Sequence, residues 1–157
     1  MGSGRPEGTP IGRKLAMTSK AVGSAFNAAL SAEGGSVPVW LILSSIKHGR
    51  WTTQLDLARS LEIEGPTLTR HLDNLEGSGL VQRRRSDTDR RAFKVELTAA
   101  GEAMYTRLLG AVIAFNKQLT AGLSRDELRR LDDLLTQLAG NVQAPDALTA
   151  ASGRPTA

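Results

Sequence analysis

The stretch Pro66-Thr67-Leu68-Thr69-Arg70-His71-Leu72-Asp73-Asn74-Leu75-Glu76 decides how the rest of the chain is read. Proline in a first helical turn sacrifices no hydrogen bond, and its fixed φ is already helical, so Pro66 marks a helix start. At about 100° of rotation per residue, Leu68, Leu72 and Leu75 gather on one side. Arg70 points almost directly away from them, flanked by Pro66, Thr67 and Asn74. The expectation is a short helix ending at Gly77 or Gly79, pinned to a core by leucines and presenting an arginine outward. The planar fork of arginine matches the O6 and N7 acceptors of guanine, a pairing worth about 1–3 kcal/mol of base discrimination. An ordinary solvated helix face has the same pattern, so the flanking segments carry the decision.

Upstream, Thr53-Gln54-Leu55-Asp56 supplies an N-cap with an acidic residue three positions later. It opens a short helix bearing Leu57, Ala58 and Leu61, and a turn at Glu62 to Gly65 leads into the Pro66 helix. Two short helices joined by a tight turn form a helix-turn-helix. Downstream, Phe93, Val95 and Leu97 alternate with Lys94 and Glu96, the period of a strand with one buried face, and Val81 to Arg85 is its partner. The polar connection between them makes residues 81–97 a β-hairpin, or wing.

The wing is where the charge lies. From Arg83 to Lys94, six basic residues (Arg83, Arg84, Arg85, Arg90, Arg91, Lys94) oppose Asp87 and Asp89, a surplus of +4 equal to that of the whole chain. Like charges side by side destabilise a hairpin unless a polyanion compensates them. Arg91 is read as a minor-groove residue, with Asp89 two positions earlier holding its guanidinium in one direction. Arg83, Arg84 and Arg85 are read as phosphate contacts. The expected double-stranded DNA contact set is therefore Pro66, Thr67, Thr69, Arg70, His71 and Asn74 on the helix. On the wing it is Arg83, Arg84, Arg85, Asp89, Arg90 and Arg91.

Further out the apolar spacing is helical. Ile11, Leu15, Val22, Phe26 and Leu30 define a first helix, ended by Gly34 and Gly35. A more uniformly apolar helix follows from Ser36 to Gly49, with Pro38 in its first turn and Trp40, Leu41, Leu43 and Ile46 as core. After Thr98, Met104, Leu108, Val112, Phe115 and Leu119 stripe a long helix to about Gly122. Ser124 and Glu127 form a capping box for a last helix striped by Leu128, Leu131, Leu134, Leu135 and Leu138. These terminal helices carry more apolar surface than a winged module hides, which points to a homodimer interface. The fold class is mainly α with a small β-hairpin wing. Residues 11–143 form the folded unit, with a DNA-binding lobe at 36–98 and dimerisation helices at 11–35 and 99–143. Residues 1–10 and 144–157, rich in Gly, Pro, Ser, Thr and Ala, are expected to be disordered tails.

Composition narrows the chemistry. The 157 residues include 20 Lys and Arg against 16 Asp and Glu, with no cysteine. The basic balance favours a polyanionic partner. The missing thiols exclude disulfides, thiolate metal sites and thiol redox sensing. His48 and His71 have no ligand spacing, so no metal or cofactor is expected. No nucleophile arrangement, phosphate loop or paired carboxylates suggest an enzyme. The longest uncharged stretch, Gly34 to Ile46, is shorter than a membrane span, and a soluble cytoplasmic protein is expected.

These motifs together resemble the MarR family of bacterial regulators, most closely its SlyA-like members, over nearly all of Pro10 to Val142. The most specific parts are Thr53 to Ala58, Pro66 to Glu76 with Gly79-Leu80-Val81, and Asp87 to Ala92 leading into Leu97-Thr98-Ala99-Ala100-Gly101. The resemblance implies a triangular dimer with interleaved terminal helices, Arg70 reading a base in the major groove, and Arg91 in the minor groove braced by Asp89. It also implies DNA release by a small aromatic acid bound between the dimer helices and the lobe. Phe26, Trp40 and Trp51 are aromatics available to line such a pocket, although aromatics on apolar helices also serve as plain core, and Trp40 is read as core. One departure is Glu62, which stands in the helix-turn-helix turn where the family often has glycine; a turn requiring positive φ would strain it. The alternative function is a winged module for nonspecific DNA binding or for protein contacts.

Overall fold

The computed structural model describes residues 10–49, 54–85 and 93–143. Within them the chain runs α1 (Ile11–Ala32), α2 (Val37–His48), α3 (Gln54–Ser60), α4 (Gly65–Gly77), β1 (Val81–Arg85), β2 (Phe93–Leu97), α5 (Ala99–Leu119) and α6 (Arg125–Gln143). The fold is thus mainly helical with one antiparallel hairpin, the winged-helix arrangement expected. The expected tails, apart from Pro10, and the Thr53 cap and Trp51 lie outside the described residues. The chain divides into two compact units, residues 1–116 and 117–157.

In the first unit, the core is built from Leu30, Ile42, Leu43, Leu57, Ala58, Leu68, Leu72, Leu75, Val81, Tyr105 and Leu108. It draws on five helices and β1, so the helix-turn-helix is anchored on α2 and the start of α5. Trp40 packs there as expected, half-buried and stacked on Tyr105 with ring centroids 5.6 Å apart. Tyr105 was not part of the expected stripe. Its ring adds to the core while its hydroxyl meets His48 Nε2 at 2.6 Å, satisfying the polar end of a side chain that is otherwise buried.

Local signals set the element boundaries. Ser36, in extended conformation, accepts the Val39 N–H at 3.4 Å and caps α2 ahead of Pro38. Three helices close in the same way. A residue with positive φ sits just past the helix, and the following N–H reaches back to a carbonyl five residues earlier. Gly35 N–H reaches Leu30 O, Ile63 N–H reaches Ala58 O, and Leu80 N–H reaches Leu75 O, at 2.9, 3.1 and 2.9 Å. The positive-φ residues are Gly34, Glu62 and Gly79, at 80°, 53° and 70°. Two are glycines; Glu62 is not, and the positive φ on which the expected strain depends is present. Glu62→Gly is therefore expected to stabilise the fold by about 1 kcal/mol, because an L side chain in the left-handed region costs about that much. A thermal melt checks it: the midpoint should rise by about 3 °C. An unchanged or lowered midpoint would mean that the turn tolerates glutamate without strain.

The junction between wing and α5 is tightly built. Thr98 donates its backbone N–H to Leu80 O at 3.1 Å and its hydroxyl to Gly79 O at 2.5 Å. The same hydroxyl accepts the Gly101 N–H at 3.0 Å, capping α5. One threonine thus ties the end of β2 to the start of β1. In the hairpin, Val81 pairs with Leu97, Gln82 with Glu96, Arg83 with Val95, Arg84 with Lys94 and Arg85 with Phe93. Directly paired residues share a face, so Val81, Arg83, Val95 and Leu97 line one side and Gln82, Arg84, Lys94 and Glu96 the other.

The second unit contains α6, opened by the expected capping box. The Ser124 N–H and hydroxyl donate to Glu127 Oε2 at 2.8 and 2.7 Å, and the Glu127 N–H returns to Ser124 Oγ at 3.3 Å. Those donors hold the Glu127 carboxyl below the usual glutamate range. No α6 residue is buried, and Leu131, Leu134 and Leu135 remain 46%, 39% and 42% exposed.

Candidate nucleic-acid interface

Helix α4 is fixed from behind. Leu68 and Leu72 are fully buried and Leu75 nearly so, while Pro66, Thr69, Arg70, Asp73 and Asn74 are exposed and Thr67 and His71 half-buried. Leucines three and four apart force this orientation, because burying them leaves the opposite face nowhere to go but solvent. Arg70 has no carboxylate partner among the described residues. Its charge and five donors remain available to a partner.

Thr69 has a partly internal role. Its hydroxyl donates to Gly65 O at 3.0 Å and accepts from Gln54 Nε2 at 2.9 Å, locking the first turn of α4 to the start of α3. Gln54 was absent from the expected set, and no local pattern marks it, because its partner lies on the next helix.

Arg83 makes ion pairs within the chain. Read from the sequence as a phosphate contact, it lies on the same hairpin face as buried Val81, with its side chain only 20% exposed. Its Nη1 sits 2.7 Å from Asp73 Oδ1 and 2.8 Å from Glu76 Oε2. Its backbone N–H also donates to Glu76 Oε1 at 3.1 Å. The guanidinium is committed within the chain because strand alternation turns it toward α4, where two acids one turn apart meet it.

Arg84 faces outward, 67% exposed, directly across from Lys94. Glu96 offsets that like-charge pair, at 2.8 Å from Lys94 and 3.6 Å from Arg84. The Lys94 hydrogen bond, then its charge and that of Arg84, hold the Glu96 carboxyl below the ordinary glutamate range. The charge surplus from Arg83 to Lys94 leaves out this acid, as it leaves out Asp73 and Glu76. With Glu96 on β2, and Asp73 and Glu76 beside Arg83, the wing is less basic than the stretch from Arg83 to Lys94 suggests. Arg85 belongs to β1, but its side chain lies outside the described residues, as do Asp89, Arg90 and Arg91.

A cavity of about 420 Å³ opens beneath the wing, with Ile46, Leu57 and Val95 in its wall. The Lys47–Glu102 ion pair, at 2.7 Å, borders it. Neither Phe26 nor Trp40 lines it. Phe26 packs on Phe115 with centroids 5.1 Å apart, so both aromatics contribute to packing. Among the described residues, no group of three potential metal-ligating side chains gathers, and no single helix is long and apolar enough to cross a membrane.

The comparisons with known proteins agree with this geometry. Residues 36–93 match the model of the MarR family. The chain is similar to the structure of transcriptional regulator PA3341, with 32% identity, a TM-score of 0.69 and coverage of 85% of this chain and 98% of that one. It is similar to the reduced form of MarR from E. coli, with 30% identity, a TM-score of 0.68 and coverage of 84% and 98%. It is also similar to the transcriptional repressor CouR bound to a 23-mer DNA duplex, with 28% identity, a TM-score of 0.73 and coverage of 83% and 92%. With the family's winged lobe and near-complete coverage of E. coli MarR itself, the chain belongs to the MarR family.

Proposed function

We propose that this protein is a sequence-specific, double-stranded DNA-binding transcriptional regulator that acts in the cytoplasm as a homodimer. The observation that carries the reading is α4: three leucines rigidly buried on one side and, on the other, Arg70 exposed and without a carboxylate partner among the described residues. A rigid helix with an outward guanidinium suits base readout in a major groove about as wide as a helix. Residues 81–97 serve as the wing in the adjacent minor groove, with outward Arg84 and with Arg85, Arg90 and Arg91 supplying positive charge, and Asp89 bracing Arg91. CouR, the relative seen with a DNA duplex, shares this architecture.

The dimer rests on the apolar side chains left uncovered. The α6 leucines are joined by Ile11, Met17 and Ile113, which are 65%, 60% and 60% exposed. Such surface on terminal helices is characteristic of a subunit interface. Two copies of α4 related by a twofold axis call for a pseudo-palindromic operator with half-sites about one helical turn, or 10–10.5 bp, apart. A small aromatic acid is the effector class that accompanies this reading. Catalysis is no part of it.

Footprinting on the DNA upstream of the protein's own gene tests the reading. The expected result is protection of an inverted repeat, together with tighter binding to that duplex than to a scrambled one at fixed salt. Protection without sequence preference would instead support a nonspecific DNA-binding module. Repeating the footprint with benzoate-type acids tests the effector, whose binding should abolish protection.

A further inference from the structure

We propose that Arg83 is a positioning residue that sets the angle between the wing and α4, and so lets both reach their grooves together. The proposal rests on the DNA-binding reading above. A two-stranded ribbon is marginally stable alone, so its direction is set by what its strands attach to. Thr98 attaches the base of the ribbon at Gly79 and Leu80; Arg83 attaches β1 further along, to the C-terminal half of α4. One guanidinium nitrogen contacts two carboxylates one turn apart, and the backbone N–H of the same residue adds a third bond. Side chain and main chain are held at once, which fixes the strand in rotation as well as in distance.

Charge gives the same residue a second effect. The C-terminal end of a helix carries partial negative charge, and Asp73 and Glu76 add two carboxylates there. Without Arg83 this part of the DNA-facing helix would repel phosphates. Half-exposed ion pairs add little to stability, so the consequence should appear in recognition rather than in folding.

The informative variant is Asp73→Asn/Glu76→Gln, which takes away both charged partners of Arg83 and removes two negative charges. The measurement compares dissociation constants for the footprinted operator and a scrambled duplex of equal length across a salt series, with melting temperature as a control. If Arg83 positions the wing, the operator-to-scrambled ratio falls about tenfold, the equivalent of one lost base-pair contact, despite the more favourable net charge. Melting should stay within about 3 °C of wild type. Arg83→Lys, which retains the charge without the fork, should lower the ratio without changing the slope of log K against log salt. Tighter operator binding by the double variant, with a slope steeper by about 0.9 for each subunit, or about 1.8 for the dimer, would show Arg83 reaching a phosphate and overturn the proposal. So would an Arg83→Lys protein indistinguishable from wild type. A wild-type protein that does not prefer its operator would overturn the DNA reading itself and this inference with it.

Discussion

Gly101→Ala is expected to lower the melting temperature by about 10 °C, from a destabilisation of about 3 kcal/mol. A Cβ at this position would stand 1.9 Å from the carbonyl oxygen of Leu80. That oxygen cannot turn away cheaply, because it accepts the Thr98 N–H that joins the two ends of the wing. Relieving the overlap requires moving the first turn of α5 away from β1, which breaks the Thr98 bonds and loosens Tyr105 and Leu108 in the core. Gly77→Ala is the control: its Cβ would meet nothing within 4 Å, and the melting temperature should stay near wild type. Because a dimer's stability depends on concentration, both melts belong at one protein concentration. If Gly101→Ala melted like wild type, the close approach of α5 to Leu80 would be wrong.

The second large effect is on recognition. Arg70→Ala is expected to remove about 1–3 kcal/mol of discrimination at one base pair in each half-site, roughly 5- to 150-fold. Competition titrations against operators substituted singly at each position would read this as relaxed preference at one position alone. Arg84→Ala provides the contrast. As an outward cation on the wing it should weaken binding to all sequences alike, with a salt slope shallower by about 0.9 for each subunit, or about 1.8 for the dimer. If Arg70→Ala instead weakened every duplex equally, Arg70 would be a phosphate contact, and base readout would have to come from elsewhere on α4.

Repeating patterns made most of the architecture legible in the sequence. Leu68, Leu72 and Leu75 marked the buried side of α4, Val95 and Leu97 one face of β2, and Ser124 with Glu127 the start of α6. Each lies within a few residues of its partners, where backbone geometry alone dictates which side chains share a face. The positive φ at Glu62 was also foreseeable, since a tight turn between two helices commonly needs one left-handed residue.

What remained hidden depends on pairs distant along the chain or on different elements. Tyr105 becomes core because Trp40 and His48 of α2 close over it, and nothing near Tyr105 announces that. Gly101 looks like an ordinary helix residue until the Leu80 carbonyl is seen against its Cα. Arg83 is the sharpest case. Its neighbours Arg84 and Arg85 make it one of a basic run, yet strand alternation turns it to the opposite face, and Asp73 and Glu76 are there to neutralise it. The sequence by itself determined the elements, the buried side of each and the outward Arg70, because periodicity is a local property of a chain. Only the tertiary structure decided which charges stay free, because a charge is neutralised by whatever packing brings within a few ångströms, wherever it lies in the chain.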